Sequence, residues 1–270
     1  MIIKIGEYEC TECWDGVFYK TLSDYPNITE WEIQTVYDFI NYEKQNGRAC
    51  SVEADDNILK KIEEYRKIYD SGKRVTVPEK ITECVACPKY KGCMTDYVCH
   101  TAPIENAISI FKCGALQAPT KWRKVSASVL KAENRNAAND PEDFFDYVMF
   151  AWGNCQAGDR LVMERKMQRF PTEEDLSENF TPGVRFFFRY EKIKNHPNVT
   201  FEGVLPLKVK DEVKLSDWVD TIIIPSRERT SFESIIPQEL KSKTFFLDND
   251  CKDIWSWSEK VYEFVKGEKR

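Results

Sequence analysis

Histidine is scarce in this chain, which has only two among its 270 residues, His100 and His196. A catalytic zinc site usually keeps an open coordination position and often uses histidine ligands. The sequence contains neither a His-Glu-x-x-His nor a His-x-Glu motif, which argues against a zinc hydrolase of that kind. The position of each histidine is therefore informative.

Long apolar runs and net positive charge are also missing. No stretch approaches the roughly 18 apolar residues of a membrane-spanning helix, and the opening residues lack the apolar core of a secretory signal. We therefore expect a cytoplasmic protein with no membrane partner. The formal net charge is −6, which argues against coating of duplex nucleic acid, because that mode of binding needs a basic face.

The apolar content is that of a globular protein, with 42% hydrophobic and 13% aromatic residues. Residues 29–45 and 55–73 have apolar positions three or four apart, which predicts two amphipathic helices. Beyond residue 100, aromatic and β-branched stretches predict strands among further helices and loops. The predicted strands are 145–152, 183–190, 220–225 and 243–248, the helices are 103–113, 126–137 and 253–266, and the surface loops are 170–183 and 194–217.

These patterns predict an α+β chain in two parts. Pro78 and the cysteine-rich stretch after it indicate a boundary, so we expect an accessory helical module at residues 1–96 and a main domain at residues 97–270.

Two Cys-x2-Cys pairs indicate a metal site. Cys10, Cys13, Cys84 and Cys87 would supply four thiolates, and structural zinc prefers four such ligands on tight turns. Cys93 and Cys99 leave open a second arrangement, in which residues 84–99 alone hold zinc or an iron–sulfur cluster. Buried free cysteines with chance spacing are the third interpretation.

The stretch "CHTAPIENAISIFKCGAL", residues 99–116, places His100, Thr101 and Asn106 around a predicted helix start, and Gly114 ends that helix. The plainest interpretation is that Thr101 caps the helix and His100 is an ordinary packed or surface histidine.

Four stretches together resemble a known family, the DarT-type ADP-ribosyltransferases, which attach ADP-ribose from NAD to nucleic-acid bases. The histidine, the asparagine six residues later and the Ile-rich helix resemble the opening of that family. "KAENRNAAND" resembles its arginine-bearing helix, with the arginine at Arg135, and "FFDYVMFAW" resembles its Asp-Tyr-Val-x-Phe strand, beginning at Asp146. "RERTSFESIIP" resembles the loop and strand that carry the catalytic glutamate, here Glu233, although Ser231 stands where the family commonly has glutamine.

The resemblance implies a fold, a substrate and a set of site residues. The fold would be two facing antiparallel sheets around an NAD cleft. Glu233 would stabilise the oxocarbenium-like transition state, and Arg135 would bind the pyrophosphate or orient the acceptor. The remaining assignments concern the nicotinamide side: His100 and Thr101 bind the ribose or carboxamide, Asn106 braces that loop, and Tyr147 or Trp152 stacks on the ring.

The acceptor and the partners follow from the same resemblance. Basic residues interleaved with an aromatic one suit single-stranded DNA or RNA, whose bases are exposed. These residues are Lys121, Trp122, Arg123, Lys124, Arg160, Arg165, Lys166 and Arg169; an ordinary solvated helix face is the alternative. A toxin or phage-defence setting would imply an antitoxin or a macrodomain hydrolase as partner. The alternatives in function are a non-catalytic zinc-knuckle protein that binds nucleic acid or regulates, and an ADP-ribosyltransferase acting on protein or a small molecule.

Overall fold

The structure is a computed structural model that describes residues 1–8, 11–14, 16–79, 81, 94–133, 141–154, 156–251 and 253–267. Helices and strands are mixed throughout, as expected for an α+β chain. No helix in these ranges is both long and apolar enough to cross a membrane.

The N-terminal module, described here over residues 1–79, combines a small sheet with two helices. Its elements are β1 (Ile2–Gly6), β2 (Glu12–Trp14), β3 (Val17–Thr21), α1 (Glu30–Gln45), β4 (Ser51–Glu53) and α2 (Asp56–Asp70). The strands are ordered β2-β3-β1-β4, with β1 parallel to both of its neighbours and β2 antiparallel to β3. The expectation of a purely helical module was incomplete, because strands of three to five residues give too short a pattern to recognise.

The first helix begins with a capping box. Thr29 accepts a hydrogen bond from the backbone N–H of Glu32 at 3.3 Å, and the Glu32 carboxylate accepts one from the backbone N–H of Thr29 at 2.8 Å. This capping box satisfies two backbone donors that a helix start otherwise leaves unpaired. The inner side of α1 then packs Ile33 and Val36 into the core of the module.

The C-terminal domain, described from residue 94 onward, is built on a larger sheet. Its elements are β5 (Tyr97–Ala102), α3 (Ile104–Cys113), β6 (Ala115–Gln117), α4 (Pro119–Arg123), α5 (Ala127–Glu133), β7 (Tyr147–Trp152), α6 (Ala157–Met167), α7 (Glu173–Leu176), β8 (Val184–Arg189), α8 (Tyr190–Ile193), β9 (Val199–Thr200), β10 (Leu207–Lys210), β11 (Glu212–Lys214), α9 (Leu215–Trp218), β12 (Thr221–Pro225), α10 (Arg229–Phe232), β13 (Thr244–Leu247) and α11 (Ile254–Gly267). Three 3-10 turns lie at Glu142–Asp146, Ser226–Glu228 and Gln238–Lys243.

Seven of these strands form one sheet, in the order β13-β12-β8-β5-β7-β10-β9. The β12–β13 pair is parallel and the other pairs are antiparallel. Strands β6 and β11 pair separately. Each face of the sheet is covered: α3 and α10 pack on the face of Val98 and Phe186, whereas α6 and α11 pack on the face of Tyr97 and Phe187.

Strands β5 and β7 pair over a short length in the middle of the sheet. Strand β5 pairs with β8 over all six of its residues but pairs with β7 only at Val98 and Cys99. The described strands form one mixed sheet whose two parts are joined by two residue pairs. The two facing antiparallel sheets that the resemblance implies stay a prediction.

All four predicted strands and the predicted helices at 103–113 and 253–266 are present within a residue or two. The helix predicted at 126–137 is described as far as Glu133. The loop predictions were wrong in two places: residues 173–176 form α7, and residues 194–217 include β9, β10 and β11. Strand β10 is buried within the sheet, because Leu207 and Val209 fill one face and Lys208 is enclosed on the other.

Candidate functional site

His100 lies on β5, where pairing with β7 has ended. Its neighbour Cys99 still pairs with Ala151, whereas His100 pairs only with Phe186 of β8. The imidazole Nδ1 of His100 lies 3.0 Å from the carbonyl oxygen of Met149. The side chain therefore spans the gap that opens between the two strands.

The surroundings of His100 favour its neutral form. Burial lowers the pKa of His100 below its usual value, and the positive charge of Arg165 lowers it further, while the hydrogen bond to Met149 opposes both effects. Because a carbonyl oxygen can only accept, Nδ1 carries the proton in this bond. In the neutral ring, Nε2 is left with a lone pair that can accept a hydrogen bond.

Arg165 lies on α6 close enough for its charge to act on His100. The residue keeps contact with solvent, and desolvation by the protein around it lowers the pKa of its guanidinium. Arg165 is also one of the basic residues predicted to bind the acceptor, and that role stays a prediction.

Thr101 faces away from His100, because consecutive strand residues point to opposite faces of a sheet. Helix α6 covers it: a Cβ added to Gly158 would lie 2.7 Å from the Cβ of Thr101 and would overlap its hydroxyl. The side chain is therefore packed beneath the first turn of α6. Thr101 is also not the cap of α3 that its position in the sequence predicts, because that helix begins after Pro103. Asn106 is partly buried in the first turn of α3.

The two aromatic residues predicted to stack on nicotinamide contact the N-terminal module instead. The ring of Trp152 lies 6.3 Å from that of Trp31 on α1, measured between centroids, and the ring of Tyr147 lies 6.4 Å from that of Tyr42. Trp152 also packs against Tyr190 at 5.3 Å. The structure does not bring these two rings together with His100.

Glu233 directly follows α10 and is exposed. Its Oε1 lies 3.3 Å from the guanidinium of Arg229, and more than half of its side chain is open to solvent. The preceding residue, Phe232, is fully buried and packs edge-on against Phe111 of α3 at 5.6 Å. Glu233 was expected on a loop before a strand; the structure places it at the end of a short helix.

Three phenylalanine rings in contact run from Phe232, the residue before Glu233, to Phe186, the residue opposite His100. The ring of Phe111 lies 5.9 Å from that of Phe186 and 5.6 Å from that of Phe232. Phe186 is the residue directly opposite His100 on β8, and directly opposite residues share a face of the sheet. His100 is thus paired with the first of these rings, and Glu233 directly follows the last of them in the chain. No hydrogen bond or ion pair joins their side chains in the part of the chain that the structure describes.

Strand directions bring the motif-bearing segments to a common edge of the sheet. Strands β5 and β12 are both antiparallel to β8, so their carboxyl ends lie at the same edge, and β7 begins there because it is antiparallel to β5. The end of β5, the turn before β7 and the connection after β12 share this edge. Arg135 lies outside the described residues, and the described chain resumes at Pro141, just before that turn.

The basic residues predicted to hold the acceptor are partly neutralised by carboxylates. Trp122, at their centre, is 51% exposed. The ion pairs are Lys121 with Glu212, Arg123 with Glu133 and Arg169 with Asp175. The positive charge available to a nucleic acid on this surface is therefore smaller than the sequence indicates.

The structure describes only one of the four cysteines predicted to bind a metal, Cys13. Cys10, Cys84 and Cys87 lie outside the described residues, as does Cys93. Cys13 lies on β2 and is partly buried, and Cys99 is buried on β5. The described ranges contain no cluster of three or more histidine, cysteine or carboxylate side chains that could hold a metal ion. The metal site stays a prediction.

Two open cavities lie away from His100. One, of about 360 Å³, is lined by Pro26, Asp55 and Lys61 in the N-terminal module. The other, of about 200 Å³, lies between α1 and β9 and is lined by Asn41, Arg74 and Phe201 among others. Neither coincides with the gap between β5 and β7. Comparison of the chain with protein-family models, curated proteins and solved structures gives no match.

Proposed function

We propose that this chain is a mono-ADP-ribosyltransferase, of ADP-ribosyltransferase-like fold, that moves ADP-ribose from NAD to a base of single-stranded DNA or RNA. The observation that carries the proposal is the common edge of the sheet. There, a histidine spans the gap between β5 and β7, and the connection after β12 carries the exposed Glu233 directly after Phe232, the last of three phenylalanine rings in contact.

His100 would recognise the ribose next to nicotinamide. Its Nδ1 is engaged by the Met149 carbonyl, which fixes the ring and leaves Nε2 as an acceptor. A ribose hydroxyl can donate to that nitrogen. Burial keeps the ring in the neutral form that this hydrogen bond needs.

Two arginines are candidates for the pyrophosphate of NAD. The planar guanidinium binds phosphate oxygens in pairs, which suits arginine to this task. Arg135 is the candidate from the family resemblance. Arg165 is the candidate from the structure, because its charge already acts on His100.

Glu233 would stabilise the transition state. As the bond between nicotinamide nitrogen and C1′ breaks, nicotinamide leaves as a neutral molecule with the bonding electrons, and positive charge develops on the ribose. A fixed carboxylate stabilises that charge. The acceptor nitrogen then bonds to C1′ and gives up its proton. Glu233 is also the candidate to accept that proton, and Arg135 would orient the acceptor nucleobase.

The ion pair between Arg229 and Glu233 does not oppose this role. Both side chains are more than half exposed, and surface pairs of this kind contribute only about 0–1 kcal/mol. Substrate can therefore displace Arg229 at small cost. In a cell, an activity of this kind would need a counterpart, such as an antitoxin or a hydrolase that removes the mark.

The test is transfer of label. The protein is incubated with NAD labelled in its adenylate part and, separately, with single-stranded DNA, single-stranded RNA and protein. We expect label in one nucleic-acid pool and free nicotinamide in the same tube. Label in the protein pool alone would favour an enzyme that acts on protein, and binding of nucleic acid without nicotinamide release would favour a non-catalytic binder.

A further inference from the structure

Helix α1 belongs to the N-terminal module but also docks on the C-terminal domain. The docking residues Trp31, Thr35, Phe39 and Tyr42 are spaced three or four apart and therefore share one side of the helix. Gly203 approaches this side so closely that an added Cβ would overlap the carbonyl oxygen of Thr35 and lie 2.9 Å from the Cβ of Phe39.

The end of this docking side holds Asp143, in the turn before β7. The hydroxyl of Tyr42 donates to Oδ2 of Asp143. Arg48 donates to Oδ1 at 2.8 Å, and its other donors hold Glu43 at 2.6 and 2.8 Å. These hydrogen bonds lower the pKa of Asp143 below its usual value, although partial burial alone would raise it. The carboxylate is therefore held by the N-terminal module on both of its oxygens.

The same turn also closes an aromatic box around Lys208. The amine lies 3.7 Å from the ring centre of Tyr42, 3.8 Å from that of Phe144 and 4.5 Å from that of Tyr147. Lys208 is fully buried, and its amine has no hydrogen-bond partner among the residues that the structure describes. Attraction of the cation to three ring faces takes the place of that partner. One ring comes from the N-terminal module and two come from the turn and the start of β7.

The position of this turn sets the position of His100 through two residues. Strand β7 begins at Tyr147, four residues after Asp143. Met149, two residues further along this strand, accepts the hydrogen bond from His100. On the other side, the hydroxyl of Thr120 holds Asp146 at 2.8 Å. The turn thus connects the module to the strand that accepts the hydrogen bond of the histidine, and in the sequence it follows the segment that contains Arg135.

We propose that Asp143 is a positioning residue, and that Tyr42 and Arg48 of the N-terminal module hold it so that the start of β7 presents Met149 to His100. The consequence for NAD binding rests on the proposed function, whereas the ordering of β7 does not. The N-terminal module is then part of the working enzyme and not a separable appendage.

Three variants test this. Asp143→Asn removes the charge that Arg48 binds, and Tyr42→Phe removes one hydroxyl while it keeps the ring of the box. Asp38→Asn is the matched control. Asp38 lies on α1, pairs with Arg74 at 2.6 Å and is more deeply buried than Asp143, but it does not contact the turn before β7. All three should remain folded by circular dichroism.

The first measurement is hydrogen exchange of the backbone amides from residue 144 to residue 150. We expect exchange about tenfold faster in Asp143→Asn and in Tyr42→Phe, and no change there in Asp38→Asn. The second is steady-state nicotinamide release: KM for NAD should rise about tenfold with kcat nearly unchanged, because ground-state and transition-state binding weaken together.

The outcomes separate the two proposals. If the unmodified protein releases no nicotinamide, the proposed function fails, and hydrogen exchange alone decides the role of Asp143. If Asp143→Asn and Tyr42→Phe leave exchange of β7 at the level of Asp38→Asn, the positioning role is overturned, whatever the enzyme assay shows.

Discussion

His100 and Met149 connect two strands at the place where their backbones stop pairing, with imidazole Nδ1 of one residue 3.0 Å from the carbonyl oxygen of the other. A side chain thus replaces the backbone ladder between β5 and β7. The gap so formed opens toward the common edge of the sheet. This relationship gives the histidine both a structural role and a free nitrogen.

These two roles of His100 can be separated by substitution. Asparagine can place a donor near the position of Nδ1 and so keep the bond to Met149, but it has no acceptor at the position of Nε2. We expect His100→Asn to unfold within a few degrees of the unmodified protein and to bind NAD about tenfold more weakly, as follows from losing about 1.4 kcal/mol. Thermal unfolding and calorimetric titration with NAD measure these two effects. Unchanged affinity in His100→Asn would show that Nε2 does not contact the substrate.

The close approach of Gly203 to α1 predicts a large cost for any side chain there. Gly203 has φ of +82° and no room for a Cβ, whereas Gly47 has φ of +73° and nothing within 4 Å. Gly47→Ala should lose about 1–2 kcal/mol of unfolding free energy from backbone strain alone. Gly203→Ala should lose about 1–3 kcal/mol more from overpacking. Urea denaturation compares them, and equal losses would mean that α1 and the Gly203 loop are not in tight contact.

The buried amine of Lys208 predicts a dependence of stability on pH. Burial lowers its pKa to about 8, while Glu202 and Asp143 oppose that effect by attraction. Between about pH 8 and the usual lysine value, the unfolded chain binds a proton that the folded chain does not, so stability should rise with pH in this window. Burial also raises the pKa of the Glu202 carboxyl, and attraction to Lys208 opposes that effect.

The measurement for Lys208 is the free energy of unfolding in urea at about pH 7 and about pH 9.5. We expect the unmodified protein to gain stability relative to Lys208→Met as the pH rises. Lys210→Met removes an exposed lysine from the same strand and should follow the unmodified protein. Parallel pH curves for the unmodified protein and Lys208→Met would contradict a titrating buried amine.

The cysteine pairs predict bound metal. The purified protein should contain about one zinc ion per chain, as a site with four thiolates holds. Cys13→Ser and Cys84→Ser should each reduce the zinc content, and Cys113→Ser, which changes an exposed cysteine outside the pairs, should not. A visible absorption band with iron in place of zinc would assign the site to an iron–sulfur cluster. A metal-free protein would favour buried free thiols.

The parts of the fold that sequence predicted are those with local signals. Thr29 and Glu32 form the capping box of α1, and Gly114 ends α3 in the left-handed conformation that glycine favours. The strands at Tyr147 and Val184 are dense in aromatic and β-branched residues, so their pattern needs no knowledge of the tertiary structure.

The parts that sequence missed depend on contacts between distant segments. Lys208 favours a prediction of a solvated loop for β10, because a lysine is rarely buried. The three rings that enclose its amine, those of Tyr42, Phe144 and Tyr147, come from elsewhere in the chain. Arg165 has the pattern of a surface helix residue, and the effect of its charge on the pKa of His100 depends on the packing of α6 on β5. The contact between the rings of Trp152 and Trp31 joins the two parts of the chain, and no local pattern in the sequence predicts it.

The proposed function depends on Glu233, which would stabilise the transition state as the bond between nicotinamide and ribose breaks. Its most direct test is nicotinamide release from NAD by the unmodified protein, by Glu233→Gln and by Glu239→Gln, which changes another exposed glutamate in the same connection. We expect release by the unmodified protein and by Glu239→Gln, and a loss of about a hundredfold or more in Glu233→Gln, as follows from removing a transition-state charge worth about 3 kcal/mol. Equal release by all three proteins would show that Glu233 has no part in the reaction.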